Sequence, residues 1–502
     1  MAKATTEGTP TVSTPEGTPA GEPGAGRKIA ANAAIRSAGE VVAKLASIAF
    51  YVVMARELGE QSFGDFMFAL SLTGVLMLAA GFGIDDLTVR NVARDPSRLD
   101  WYLSNGAAIK VGTSAALLGL AAIAVNLGDY SSEARAAVYL VGAGVAVETL
   151  SWTWQAIFTG LERPYLVSIS IVAQRSLTAL VGISLILNGA GVVTAAAVFL
   201  GGSIVQLAIS HLQLVRRVRP PRLELEPGAW RSFLRAGVPV GLVGLMLTVL
   251  LKLDIVLLSF LGGGDNSEVG IYSAGYRLVE ATMFISWSFA HATLPWLGRK
   301  AEEGGPELAR ACRLGLKAIS MVLVPIAVGL GALAPEVIDL IYGAEYEEAV
   351  TPLRLLAGMS VLYGINYFAG GALIALDAPE RFRRVALPMI VVNLGMNFAL
   401  IPPLGAAGAA VSALASGVML AALTTLQMRS VAGAFSPLQA FAGPAIAGAA
   451  MLAALVALGL PLVPSALVGT LIYVAVLAGI ERIAFREDAE LVVEILRRRA
   501  SN

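Results

Sequence analysis

Apolar stretches of about 20 residues, each long enough to cross a hydrocarbon core, recur along the chain from residue 29 to residue 485. Within lipid every backbone N–H and C=O must be paired inside the protein, so a chain of this kind folds as helices that cross the bilayer again and again. Spans are expected near 29–55, 64–84, 104–127, 134–158, 165–187 and 190–215, then near 235–261, 269–296, 312–334, 352–375, 385–403 and 406–428, with a last pair near 441–461 and 464–485. Composition agrees: 56% of the residues are hydrophobic and 14% charged, against roughly 25% charged in a soluble domain. A soluble fold cannot hide that much apolar surface.

The charges that remain are unevenly placed. With the N-terminus inside, the inner loops hold Arg90, Arg94, Arg98, Arg216, Arg217, Arg219 and Arg222, and the tail ends in Arg497, Arg498 and Arg499. The outer loops keep only Arg56, Arg135 and Arg354. This is the positive-inside pattern, and it persists through every alternation only for an even number of spans. A multi-pass protein of the cell membrane with both termini cytoplasmic is expected. Residues 1–26, rich in Thr, Pro, Gly and Glu, read as a disordered tail and not as a signal peptide. The stretch Glu487–Arg499 reads as a short amphipathic helix. Formal net charge is zero, so nothing points to nucleic acid. Cys312 is the only cysteine and His211 and His291 the only histidines, so no metal centre and no resident cofactor is expected.

An internal repeat divides the spans. Leu58-Gly59 followed by Phe63-Gly64-Asp65-Phe66 is echoed by Leu261-Gly262 followed by Val269-Gly270-Ile271-Tyr272. Gly160 to Pro164 and Asn188 to Gly191 are echoed by Leu376 to Pro379 and Leu404 to Gly408. Parallel repeats of six helices suit alternating access at the cleft between them. The expected organisation is a tail over 1–26, a six-helix lobe over 27–217, a second over 218–430, two extra helices over 431–485 and a basic tail over 486–502.

These same strings carry a resemblance. Ala55-Arg56-Glu57-Leu58-Gly59 with Phe63-Gly64-Asp65-Phe66 is similar to the opening of the Wzx-type polysaccharide-transport flippases. Val269 to Ala274, Tyr342-Gly343-Ala344-Glu345-Tyr346 and Gly405 to Ala410 are similar to later parts of that family. It is a branch of the multidrug/oligosaccharidyl-lipid/polysaccharide exporter superfamily, and the likeness covers roughly residues 29–485. The resemblance implies an all-α membrane protein, a V-shaped bundle of two six-helix lobes around a central cleft, with two further C-terminal helices. It also implies flipping of an isoprenoid-pyrophosphate-linked oligosaccharide for surface polysaccharide assembly, in company with a polysaccharide polymerase or glycosyltransferases. It supplies no residue-by-residue site.

Candidate site residues therefore come from the cost of charge at bilayer depth, about 2.5–3.5 kcal/mol each on insertion scales. Arg36, Glu40 and Lys44 share a face of the first span; Glu148 lies in the fourth, Arg175 in the fifth, Lys252 and Asp254 in the seventh, Arg277 and Glu280 in the eighth. Arg36, Lys44, Arg175, Lys252 and Arg277 are the candidate cations for a lipid pyrophosphate. Glu40, Glu148, Asp254 and Glu280 are candidates for coupling to protons or sodium ions, or for pairing with those cations. Arg175 has no acid within a helical turn and reads as a cavity cation; spans nine to fourteen read as almost free of charge at depth. Asp85 and Asp86 read as a polar gate or a helix-end contact.

Three rival functions compete with this reading. A lipid II flippase differs only in cargo, and a cation-coupled drug exporter is expected to have twelve spans and an acidic pocket. A polymerase or ligase would need a large outer loop; the longest here, 335–351, is too short for a domain. The protein is not expected to be an enzyme, and no phosphate-binding Gly-Lys loop points to ATP.

Overall fold

The computed structural model describes residues 25–376, 378–433 and 435–484, and the tails at 1–24 and 485–502 lie outside the described residues. Among those described, the secondary structure is helical, without strands. Helix α1, Ala25–Gly81, has 57 residues, roughly 85 Å if straight and far more than a hydrocarbon core of about 30 Å. It does not run straight. Gly59 takes φ 75° and ψ 174°, a region open to glycine at little cost, and the chain doubles back so that the rings of Phe50 and Phe66 lie 6.0 Å apart.

The remaining helices are α2 (Ile84–Arg94), α3 (Leu99–Leu127), α4 (Ser132–Gly160), α5 (Pro164–Leu187), α6 (Val192–Arg217), α7 (Trp230–Leu261), α8 (Ser267–Glu303) and α9 (Gly305–Ala332). They continue with α10 (Ala334–Tyr342), α11 (Val350–Ala357), α12 (Met359–Ala375), α13 (Pro379–Ala432), α14 (Pro437–Leu458) and α15 (Leu462–Ala484). Helix α13 repeats the device of α1. Its 54 residues break at Gly405, φ 52° and ψ −131°, and fold back so that Asn393 Nδ2 donates to Ser416 Oγ at 3.2 Å.

Ten segments are long and apolar enough to cross a membrane. Two of them, α1 and α13, fold back at Gly59 and Gly405 into two arms each, and α7 and α8 add two more helices of 32 and 37 residues. Counted by arms, fourteen helices of membrane-spanning length stand among the described residues. The structure shifts some edges: α9 begins at Gly305, seven residues before the expected start, because Gly304 at φ 66° ends α8 there. The loop at 335–351 is itself helical, formed by α10 and a 3-10 turn over Ala344–Ala349.

Helices α1 and α3–α6 pack on one another as a first bundle, and α7–α9 and α11–α13 pack as a second, with α14 and α15 laid against α9. The bundles meet where α1 touches α7 and α8 and where α2 touches α7. The end of the molecule that carries Gly59 is closed by close backbone approach. A Cβ on Gly64 would overlap the Asn266 carbonyl, and one on Gly270 would overlap the Glu60 carbonyl. The two repeat-related glycines thus face each other across the interface. Beside them the buried Asn266 donates to Asp65 Oδ1 at 2.7 Å, and Tyr346 donates to the Ala55 carbonyl at 3.1 Å.

At the opposite end, residues 218–229 link the bundles and are strapped to α3. Asn105, fully buried, accepts from the Glu226 backbone at 2.9 Å and from the Trp230 indole at 2.8 Å, and donates to the Glu224 carbonyl at 2.8 Å. Asp100 accepts from the Arg222 backbone at 3.1 Å and pairs with Arg219 at 3.0 Å. Cys312 is a buried core residue of α9, as its size suggests.

Candidate functional site

Between the bundles lies a cavity of about 570 Å³, walled by α1, α4, α5, α7 and α8. Helical spacing puts Val145, Glu148 and Trp152 of α4 on it, and Arg277, Glu280 and Phe284 of α8. Six of the nine charges expected at depth converge here: Lys44, Glu148, Arg175, Lys252, Arg277 and Glu280. They come from helices far apart in sequence, which only the packing of the two bundles brings together. Arg36 and Glu40 lie in α1, but their side chains fall outside the described residues.

The cations are not bare. Arg277 donates to Glu280 Oε2 at 2.6 Å and its guanidinium sits 4.1 Å from the ring centroid of Tyr51. Lys252 Nζ lies 3.5 Å from the other oxygen of Glu280 and 5.7 Å from the Tyr276 ring. Arg175, read from the sequence as lacking an acid, is paired: its Nη2 stands 2.8 Å from Glu148 Oε1. The partner lies on α4, 27 residues away, where no count along α5 finds it. Lys44 is exposed and forms no ion pair among the described residues. Four bases and two acids therefore line the cavity, an excess of two positive charges. Pairing makes burial of the acids affordable, and the guanidinium forks keep donors to spare.

Asp254 does not join this set. Two residues from Lys252, it points off another side of α7 and is 2% exposed. Asn397 donates to its Oδ1 at 2.6 Å, Asn393 to the same atom at 3.2 Å, and Tyr272 to Oδ2 at 3.4 Å. The group borders a second, smaller cavity of about 220 Å³ inside the second bundle. Asn397 Oδ1 is buried without a donor among the described residues. His291 lines this same cavity, with Nδ1 2.9 Å from the Trp287 carbonyl.

Two buried pairs escaped the sequence reading. Lys110 of α3, wholly buried, stands 2.6 Å from Asp85 Oδ1. It is the only ionisable residue between 104 and 127, a signal the sequence offered. Lys317 of α9, 3% exposed, meets Glu481 of α15 at 2.5 Å. The later spans therefore do hold charge at depth, where it ties an extra helix to the second bundle.

The described residues thus form a two-bundle helical membrane protein with a cationic cavity at the bundle interface. The chain belongs to the polysaccharide biosynthesis protein family, whose model matches residues 29–300. Among its relatives is a Haloferax volcanii protein called probable low-salt glycan biosynthesis flippase Agl15, 23% identical over 373 residues, or 71% of this chain and 74% of that one. Another, from the same organism, is called probable flippase AglR, 25% identical over 425 residues, covering 81% and 84%. In fold the chain is similar to the lipid II flippase MurJ in an inward closed conformation, TM-score 0.73 at 15% identity over 89% of this chain and 98% of that one. It is also similar to an inward-facing multidrug resistance MATE family transporter, TM-score 0.65 at 18% identity over 78% and 95%.

Proposed function

We propose that this protein flips a lipid-linked oligosaccharide from the cytoplasmic to the outer leaflet, by alternating access at the cavity between its bundles. The observation that carries the reading is the lining of that cavity: four bases against two acids, contributed by both bundles. Two excess positive charges complement an isoprenoid pyrophosphate diester, and Arg175 and Arg277 offer planar forks to its oxygens. A cationic drug would meet repulsion there. The two relatives named as flippases support the same cargo class. A lipid II flippase shares the fold and stays as the alternative for cargo.

The end with the 218–229 linker is taken as cytoplasmic on the positive-inside rule, since Arg90, Arg94, Arg98, Arg216 and Arg217 all belong to it. The delivered glycan then feeds a polymerase or glycosyltransferase on the outer leaflet. For coupling, Glu148 and Glu280 are held in ion pairs, whereas Asp254 is surrounded by neutral amides and a phenol. Asp254 is therefore the carboxylate assigned to coupling with protons or sodium ions.

Loss of the gene tests the proposal. Lipid-linked oligosaccharide should accumulate on the cytoplasmic face and be cleared by the wild-type chain. No accumulation, with raised drug sensitivity instead, would turn the assignment to drug export.

A further inference from the structure

Two aromatic side chains in the cavity wall are left unused by the cationic reading. Trp152 follows Glu148 by four residues on α4, and Phe284 follows Glu280 by four on α8. Each therefore sits one helical turn, about 5.4 Å, from its acid on the same helix face. Both helices run from the Gly59 end towards the linker end, so both rings lie on the same side of the charged ring, one on each bundle. Phe284 is 38% exposed and Trp152 half-buried. Neither ring has an aromatic neighbour, and the Trp152 indole N–H makes no hydrogen bond, among the described residues.

Large apolar faces at the protein's interior are ordinarily packed against one another. These two instead line an open cavity whose wall is largely aliphatic but which also holds six charges. A ligand that suits such a site has a flat apolar face, hydroxyls at its edge and an anion attached about one ring-width away. A sugar bonded through its anomeric oxygen to a phosphate has all three. Its C–H face lies against an aromatic ring, its hydroxyls reach the indole N–H, and its phosphate reaches the cations one turn off.

We infer that Trp152 and Phe284 form the subsite for the first sugar of the glycan, the one joined to the pyrophosphate, with one ring supplied by each bundle. The inference rests on the cationic cavity holding the pyrophosphate. A sugar held between the bundles would couple recognition of the glycan to their approach, since a cargo lacking the ring leaves the two aromatic faces apart.

The test uses the full chain in nanodiscs and two water-soluble probes, a short-chain prenyl pyrophosphate and the same molecule bearing one N-acetylhexosamine. The wild type should bind the sugar-bearing probe about tenfold more tightly than the bare one. Trp152→Ala should erase that difference and leave affinity for the bare pyrophosphate unchanged, while Trp152→Phe keeps most of it; Phe284→Ala and Phe284→Tyr should behave likewise. Equal binding of the two probes by the wild type would overturn the sugar subsite while leaving the pyrophosphate cavity standing. Equal weakening of both probes by Trp152→Ala would make the ring a shaper of the cavity and also overturn it. If neither probe binds, the cationic cavity itself is wrong and this inference falls with it. Thermal unfolding of each variant shows that it is folded.

Discussion

The ammonium of Lys110 in α3 holds Asp85, the second residue of α2, with both carboxylate oxygens within 2.8 Å, and spends its third donor on the Thr149 carbonyl of α4 at 2.9 Å. One side chain thus fastens three elements at the linker end. Removing it leaves a part-buried carboxylate and a buried carbonyl without their partner. Lys110→Ala should lower stability by about 3–5 kcal/mol. Replacing both partners, Lys110→Met with Asp85→Leu, should recover most of that loss. Thermal unfolding in detergent decides it, and equal losses in the single and double variants would show that the pair is not what holds the junction.

Gly64 and Gly270 close the Gly59 end of the cavity because neither carries a Cβ. Gly64→Val has no rotamer that avoids the Asn266 carbonyl, and overpacking of this kind costs about 1–3 kcal/mol, shifting the closed state roughly tenfold or more. A cysteine placed by Ser47→Cys on the cavity wall should then react correspondingly faster with an impermeant thiol reagent supplied at that end. Cys312 is buried and gives little background. Unchanged reactivity would mean that the glycine contact is not the seal.

Arg175 and Glu148 are predicted to fail in different ways. Arg175→Ala leaves Glu148 without its partner and removes one of the two excess positive charges, so transport should fall by about tenfold or more. Arg175→Gln with Glu148→Gln should restore stability and not transport, because the fork for phosphate is still missing. Clearance of lipid-linked glycan, measured beside melting temperature, separates the two effects. Recovery of both by the double variant would make the pair purely structural.

Asp254→Asn keeps the shape and the hydrogen-bonding neighbours while removing the only acid in its cluster among the described residues. Flipping in reconstituted vesicles should lose its dependence on an imposed proton or sodium gradient. Binding of a pyrophosphate probe to the cavity should persist. Gradient dependence that survives would move coupling to Glu40, Glu148 or Glu280.

What is legible in the sequence depends on the range of each relationship. The turns at Gly59 and Gly405 fall between the expected spans because an apolar run, a glycine and a second apolar run are local features. The convergence of Lys44, Glu148, Arg175, Lys252, Arg277 and Glu280 was legible as an anomaly of solvation: each charge was too costly to stand alone in lipid. Who pairs with whom was not legible. The Arg175–Glu148 and Lys317–Glu481 pairs join residues 27 and 164 apart, and helical periodicity carries no information across a loop. Lys252 and Asp254 show the converse, neighbours in sequence sent to separate cavities by the 100° step between successive helical residues.

The strap over residues 218–229 has a consequence for how the two halves move. Because Asn105 grips the linker up to Trp230, the first residue of α7, no slack chain remains between the bundles at that edge. The second bundle is hung on the first like a door on its pin. A swing about such a pin displaces the pin side little and the far edge most, so the travel needed to open the Gly59 end comes from a small rotation near Trp230. Lengthening the linker between Glu226 and Trp230 would free the door from its frame, leaving two intact panels and a cavity between them that no longer opens on cue.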